Sequence, residues 1–150
     1  MTEHDNSQVI VGSFELVDIP ALGIKQSIAK VDTGAYSGAL HCSQIKETIS
    51  TSGQKALYIV PSDNYAHSLE TTDYIVTYVR SSTGHRVKRY LIDVDIVVQN
   101  QTYEIRIGLS DRSSMKHEIL IGRRFLRQNE MLVDVNVNEK YDTDGGRSLL

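Results

Sequence analysis

The tripeptide Asp32-Thr33-Gly34 follows directly on the alternating run Ile24 to Val31. A carboxylate at the end of an apolar strand can act as general acid or base on water if its ionisation is tuned. Gly34 permits backbone angles or close approach that a Cβ would forbid. Thr33 can bond neighbouring backbone and stiffen the bend. The usual tuning device is a second carboxylate about 3 Å away, because two such groups cannot both ionise and must share a proton. One then activates water while the other protonates the carbonyl oxygen. Taken alone, the tripeptide reads first as an aspartate capping a turn.

A second feature shifts that balance. Ile119-Leu120-Ile121-Gly122-Arg123 is an apolar strand ending in glycine, with Arg124-Phe125-Leu126 after it. This order resembles aspartic peptidases, in which an Asp-Thr-Gly loop is backed by a later apolar-apolar-Gly strand. A hairpin over Tyr78 to Tyr90 lies between the two, where such enzymes carry a flap. Gly122 is far enough beyond Asp32 to imply an insertion relative to the smallest viral members, placed at about Gln44 to Thr72.

Three longer stretches make the resemblance specific. They are Val31-Asp32-Thr33-Gly34-Ala35 running on to Leu40-His41, Arg80-Ser81-Ser82-Thr83-Gly84 with Arg89, and Leu109-Ser110-Asp111-Arg112 leading into Leu120-Ile121-Gly122-Arg123. Together they resemble a retropepsin-like bacterial family named for ATP-dependent zinc proteases, whose members often accompany ATP-grasp glutamate ligases. Gly38 stands where that family more often has a small hydroxyl residue. The resemblance implies a mostly β, closed acid-protease barrel with one or two short helices. It implies Asp32 as catalytic carboxylate buttressed by Thr33 and Gly34, with Ile121, Gly122 and Arg123 behind it. Ala35 would line the groove, and Ser82, Thr83 and Gly84 would form the lid. Arg80, Arg89 and Arg112 would bind acidic groups of substrate, since guanidinium forks match carboxylates bidentately.

The chain holds no second Asp-Thr-Gly, and Asp142-Thr143-Asp144-Gly145 is interrupted. A dyad therefore requires a homodimer that places two copies of Asp32 together. The expected function is an aspartic endopeptidase acting on a peptide or an amino-acid-modified protein, functionally linked to an ATP-grasp ligase. The alternative is an inactive peptide-binding or scaffold module of the same fold, with a zinc-dependent protease as a weaker third reading.

Zinc and ATP find no support in the residues themselves. There is no His-Glu-x-x-His, no Cys-x-x-Cys and no phosphate loop ending in Lys-Ser or Lys-Thr. His4, His41, His67, His85 and His117 are scattered. His41 and Cys42 adjoin the Asp32 loop, but neighbours on a strand point to opposite faces. Cys42 as a nucleophile, with His41 or His67 as base, is a further rival that no spacing supports. No metal site and no cofactor are expected.

The elements that must hold these residues are short and β-rich. Phe14 to Ile19 alternates as a half-buried strand does, and Pro20 ends it. Ile24 to Val31 alternates again. Leu57 to Val60, Asp73 to Arg80, Val87 to Val98, Tyr103 to Leu109 and Met131 to Val137 read as strands, paired as hairpins around Ser81 to Gly84 and Gln99 to Gln101. Ser43 to Ser50 and Arg123 to Asn129 read as helices. The domain spans 9–137, with an arm over 1–8 and a polar tail over 138–150.

At 150 residues the chain suits one domain, which can bury roughly 68–70% of its unfolded surface. A net charge of -3 argues against a nucleic-acid partner, and Arg86-Val87-Lys88-Arg89 reads as the exposed side of a strand. Apolar runs are strand-sized, so no membrane span is expected. One cysteine and a polar Met1 to Ser7 suit the cytoplasm, with the periplasm open if a leader has been lost.

Overall fold

The computed structural model describes residues 8–142. After β1 (Ile10–Val11), strand β2 (Phe14–Ile19) runs to Pro20 and returns as β3 (Ile24–Val31). Pro20 offers no backbone donor, so the ladder stops there. Gly23, at φ 69°, donates to Pro20 O at 3.1 Å and closes the turn.

β3 carries one residue more than the part of β2 it faces, for Ile19 lies opposite Ile24 but Val17 lies opposite Ser27. The surplus is absorbed at Gln26, whose φ is 48° and whose main-chain and side-chain N–H groups both donate to Asp18 Oδ1, at 2.7 and 3.1 Å. A bulge of this kind reverses which face of the strand points inward beyond it. Ile24 is buried before it, whereas Ala29 and Val31 are buried after it and Ile28 is exposed. The strand thus meets Asp32 with its Val31 face toward the core.

β4 (Ala39–Ile49) overturns the helix expected at Ser43 to Ser50. Ile45 and Ile49 are four apart, a spacing that a helix face and a strand face share. Pairing decides between them: β4 zips antiparallel onto β5 (Lys55–Pro61) from Cys42 opposite Pro61 to Ile49 opposite Lys55. β6 (Leu69–Thr71) adds to β5, so the insertion at 44–72 is a three-stranded arm.

β7 (Ile75–Arg80) and the long β8 (Arg86–Val98) form the expected hairpin, and β8 continues onto β9 (Gln101–Ser110). Gln99 and Asn100 both have positive φ, 51° and 65°, which gives a two-residue turn the twist its strands need. β10 (Ile119–Ile121) then lies parallel to β3 and antiparallel to β4. This closes the barrel in the order β10-β3-β2-β8-β9-β4.

The mostly β, closed retropepsin-like barrel is therefore as expected. Its α-helix among the described residues is α1 (Arg123–Gln128). The strand expected over Met131 to Val137 shrinks to β11 (Leu132–Val133), paired with β1, because Asp134 turns the chain by accepting from Val137 N–H and Asn136 N–H. Most of the expected arm and tail lies outside the described residues. Within them, Gln8 donates to Glu130 O and Asn138 Nδ2 to Phe14 O.

Inside the barrel, Val17, Ile19, Ile96, Ile105 and Ile107 are almost wholly buried, each worth about 1.5–3 kcal/mol. Glu15 is a buried carboxylate whose Oε2 accepts from Gly12 N–H at 2.9 Å, Asn138 Nδ2 at 3.1 Å and Gln99 Nε2 at 3.3 Å. It joins the turn at Gln99 to the segments at Gly12 and Asn138.

A close backbone approach lies behind the Asp32 loop. A Cβ on Gly122 would fall 2.5 Å from both Gly38 N and Tyr36 O, and 2.8 Å from Ala35 O. Gly38 answers with φ 78° and a Cβ position 2.5 Å from Leu120 O. Its hydroxyl-bearing alternative would be strained as well as crowded, which accounts for glycine at this position. Gly122→Ala should therefore destabilise the fold by about 1–3 kcal/mol or more, read as a lowered urea midpoint. A variant as stable as the parent would contradict this close approach.

Candidate active site

Asp32 is held at three points. Its N–H donates to Ile121 O at 2.9 Å, its C=O accepts from Ala35 N–H at 3.1 Å, and its Oδ1 accepts from Gly34 N–H at 2.9 Å. The last bond folds the side chain onto its own turn, while the carboxyl keeps access to solvent because Asp32 is half-buried and Thr33 and Gly34 are exposed.

Arg123 braces the loop from behind. Its Nη1 donates to Gly34 O at 3.0 Å and Thr33 O at 3.3 Å, and its guanidinium lies 5.5 Å from the Tyr36 ring centroid. Backbone N–H groups of Arg123 and Arg124 reach Ala35 O and Tyr36 O at 2.8 and 3.0 Å. The loop thereby satisfies donors that the start of α1 leaves open, and Ala35 faces this joint through its carbonyl.

Arg112 lies in the field of the carboxylate, and Arg89 lies in that of Arg112. Arg112, in the segment between β9 and β10, fixes its Nε on His117 O at 2.9 Å. Burial pushes its guanidinium below the ordinary value, the charge of Asp32 opposes that, and Arg89 adds to it. Arg89 comes from β8 opposite Thr77, and its stem lies over Gly108. Arg112 thus interacts electrostatically with both Asp32 and Arg89.

Arg80 has a different place. Its Nη1 donates to Gly84 O at 2.9 Å and closes the tip of the β7–β8 hairpin, where Ser82, Thr83 and Gly84 lie. Ser81 N–H to His85 O at 2.8 Å and Gly84 N–H to Ser81 O at 2.9 Å complete the turn.

That hairpin is clasped to the β4–β5 arm. Lys88 Nζ meets Glu47 Oε1 at 2.7 Å, and Tyr74 OH donates to Glu47 Oε2 at 3.3 Å. Lys88 also lies 5.5 Å from the Tyr90 ring centroid. The hydrogen bond from Lys88 holds the Glu47 carboxyl below its usual range. Sequence reasoning missed this clasp, for its partners are 41 positions apart and meet only once β4 is a strand.

The zinc implied by the resemblance does not fit the residues present. His41 is 2% exposed, and its Nδ1 accepts from Arg112 N–H at 2.8 Å. Its Nε2 faces Asp63 Oδ1 at 3.4 Å on the other side of the ring. Burial pushes the Cys42 thiol up to about 12, which leaves neither a thiolate ligand nor a nucleophile near neutral pH. Among the described residues, no three His, Cys, Asp or Glu side chains converge as a metal site would require.

Comparison with known proteins agrees with this geometry. A stretch of 29% identity over 134 residues relates the chain to a probable alpha-L-glutamate ligase of Shewanella pealeana, covering 86% of this chain and 29% of that protein. A probable alpha-L-glutamate ligase of Parasynechococcus marenigrum is 28% identical over 137 residues, covering 85% of this chain and 28% of its own length. The chain thus spans under a third of these relatives. A Legionella pneumophila protein of unknown function shares the fold, with TM-score 0.62 and 24% identity over 86% of this chain and 95% of that one. The model of the RimB-like family, described as retropepsin-like aspartic endopeptidase RimB, matches residues 10–143. With that match across nearly all of the barrel, the chain belongs to the RimB-like family of retropepsin-like aspartic endopeptidases.

Proposed function

We propose that the chain is an aspartic peptidase-like hydrolase that cleaves glutamate-rich peptide or glutamate-modified protein, using water activated by two Asp32 carboxylates paired across a homodimer. The observation that carries this reading is a solvent-accessible Asp32 carboxylate, fixed by Gly34 N–H, with Arg112 in its field and Arg89 in that of Arg112. One Asp32 takes a proton from water as it attacks the scissile carbonyl. The other, protonated, donates to the carbonyl oxygen, and the protons are returned as the amine leaves. Arg112 and Arg89 bind a side-chain carboxylate of the substrate, and the β7–β8 hairpin covers the groove.

The names of the glutamate ligase relatives support an acidic substrate. They also support a functional link, in which an ATP-grasp ligase forms the bond that this chain cuts.

Support for pairing comes from the surface next to the loop. A groove lined by Thr33, Arg123, Met131 and Leu132 runs beside it, and Ile10, Leu132 and Tyr36 are 50%, 52% and 53% exposed. Apolar side chains left open around one acidic loop suit a two-fold contact, in which each face meets its own copy. Sedimentation at assay concentration should resolve a dimer. Monomer alone, with and without substrate, would sink the dyad.

Asp32→Asn separates catalysis from folding, since asparagine Oδ1 can still accept from Gly34 N–H. Its urea midpoint should match the parent, while cleavage falls by about 10²–10⁴-fold. Parent activity should be bell-shaped and acid-shifted, because one carboxyl of the pair must be protonated and the other ionised. A rate still rising above about pH 8 would contradict a shared proton. If the parent cleaves nothing in a broad peptide library, the binding or scaffold reading replaces this one.

A further inference from the structure

His41 is a buried titratable side chain that the hydrolytic scheme does not use. Its main chain is fixed on both sides: N–H donates to Glu118 O at 2.8 Å, and C=O accepts from Ser62 N–H at 2.8 Å. With only 2% of the residue exposed, the ring cannot swing away. A backbone N–H can only donate, so the 2.8 Å contact from Arg112 N–H requires a bare Nδ1. The ring is therefore neutral with its proton on Nε2, directed at Asp63 Oδ1.

On the reading of Arg112 as the anchor for a substrate carboxylate, we propose that His41 is its positioning residue. The neutral ring holds the Arg112 backbone so that the guanidinium stays beside Asp32, and protonation of the ring releases that hold.

The surroundings make both states tenable. A second proton on Nδ1 would point at Arg112 N–H, donor against donor, and the bond is lost. Asp111 Oδ1 lies 3.7 Å from Nδ1 and can accept instead. Asp63 faces the opposite nitrogen, and its side chain is 74% exposed. Glu118, which receives His41 N–H on its carbonyl, places its carboxylate on Ser62 Oγ at 2.8 Å. Arg112 is the cation on this side, and it loses ground to the imidazolium. The hold on an acidic ligand is therefore present while the ring is neutral and is lost when Nδ1 takes a proton.

Nitrogen-15 NMR of the full chain tests the positioning without any substrate. The His41 ring should show the Nε2–H tautomer at high pH, and the Arg112 amide should shift with the ring's titration. An Nδ1–H tautomer, or an Arg112 amide indifferent to the ring, overturns the proposal. The ligand arm uses tetraglutamate and the Asp32→Asn chain, which binds without cleaving. Its affinity should weaken about fivefold or more across the pH range in which the NMR signals show the ring gaining its second proton. His41→Asn retains an acceptor near Nδ1 but gains no proton, so in that background the affinity should stay flat. Equal weakening in both backgrounds overturns the proposal. Coupled NMR titration with no tetraglutamate binding at either end of that range upholds the positioning and refutes the acidic-substrate reading.

Discussion

The site depends on two backbones meeting where neither can carry a side chain. Gly122 stands against Gly38 N, Tyr36 O and Ala35 O, and Gly38 stands against Leu120 O. This contact lets β10 lie directly behind the Asp32 loop, so that Ile121 O can take Asp32 N–H and Arg123 can reach Thr33 O and Gly34 O. On the proposed dyad, a carboxylate that meets a partner within about 3 Å tolerates little error in position. The barrel supplies the rigidity, and the paired glycines transmit it to one side chain.

Around that fixed point the chain arranges parts that need not be fixed. The β7–β8 hairpin leaves the barrel because the first half of β8 pairs with β7 and the second half with β9. The β4–β5–β6 arm leaves it likewise, and Glu47 with Lys88 joins the two along their length. The hairpin tip is tied only to itself, through Arg80 and Gly84. On the proposed reading, a lid clasped along its length and free at its tip suits a groove that admits peptide and then excludes water. Arg112 enters from a third direction, on a loop whose backbone rests on His41.

Much of this was legible in the sequence because local rules and global fold agree. Asp32 sits where alternation stops, Gly122 where an apolar run stops, and the turn residues at Gln99-Asn100 and Gly84 lie between strands that pair. The failures have physical causes. The Ser43 to Ser50 segment looks helical because Ile45 and Ile49 satisfy either period, and only pairing with β5 decides. The alternation in β3 misleads at Ile28, since the bulge at Gln26 shifts which face is inward. His41 was visible as a residue near the loop, but its partners Asp63 and Arg112 are 22 and 71 positions away. No local pattern encodes such contacts. Arg80 resembled Arg89 and Arg112 by type alone, and its place at the hairpin tip is set by register.

The central claim is that one Asp32 works only beside another. Mixing is its most direct test: hold the parent chain at constant concentration, add increasing Asp32→Asn chain, and follow peptide cleavage. If each active centre draws a carboxylate from two copies, the asparagine chain captures parent subunits into inert pairs and the rate falls toward zero as it accumulates. If cleavage is untouched by a large excess of the asparagine chain under conditions where subunits exchange, each copy acts alone and the shared dyad is wrong.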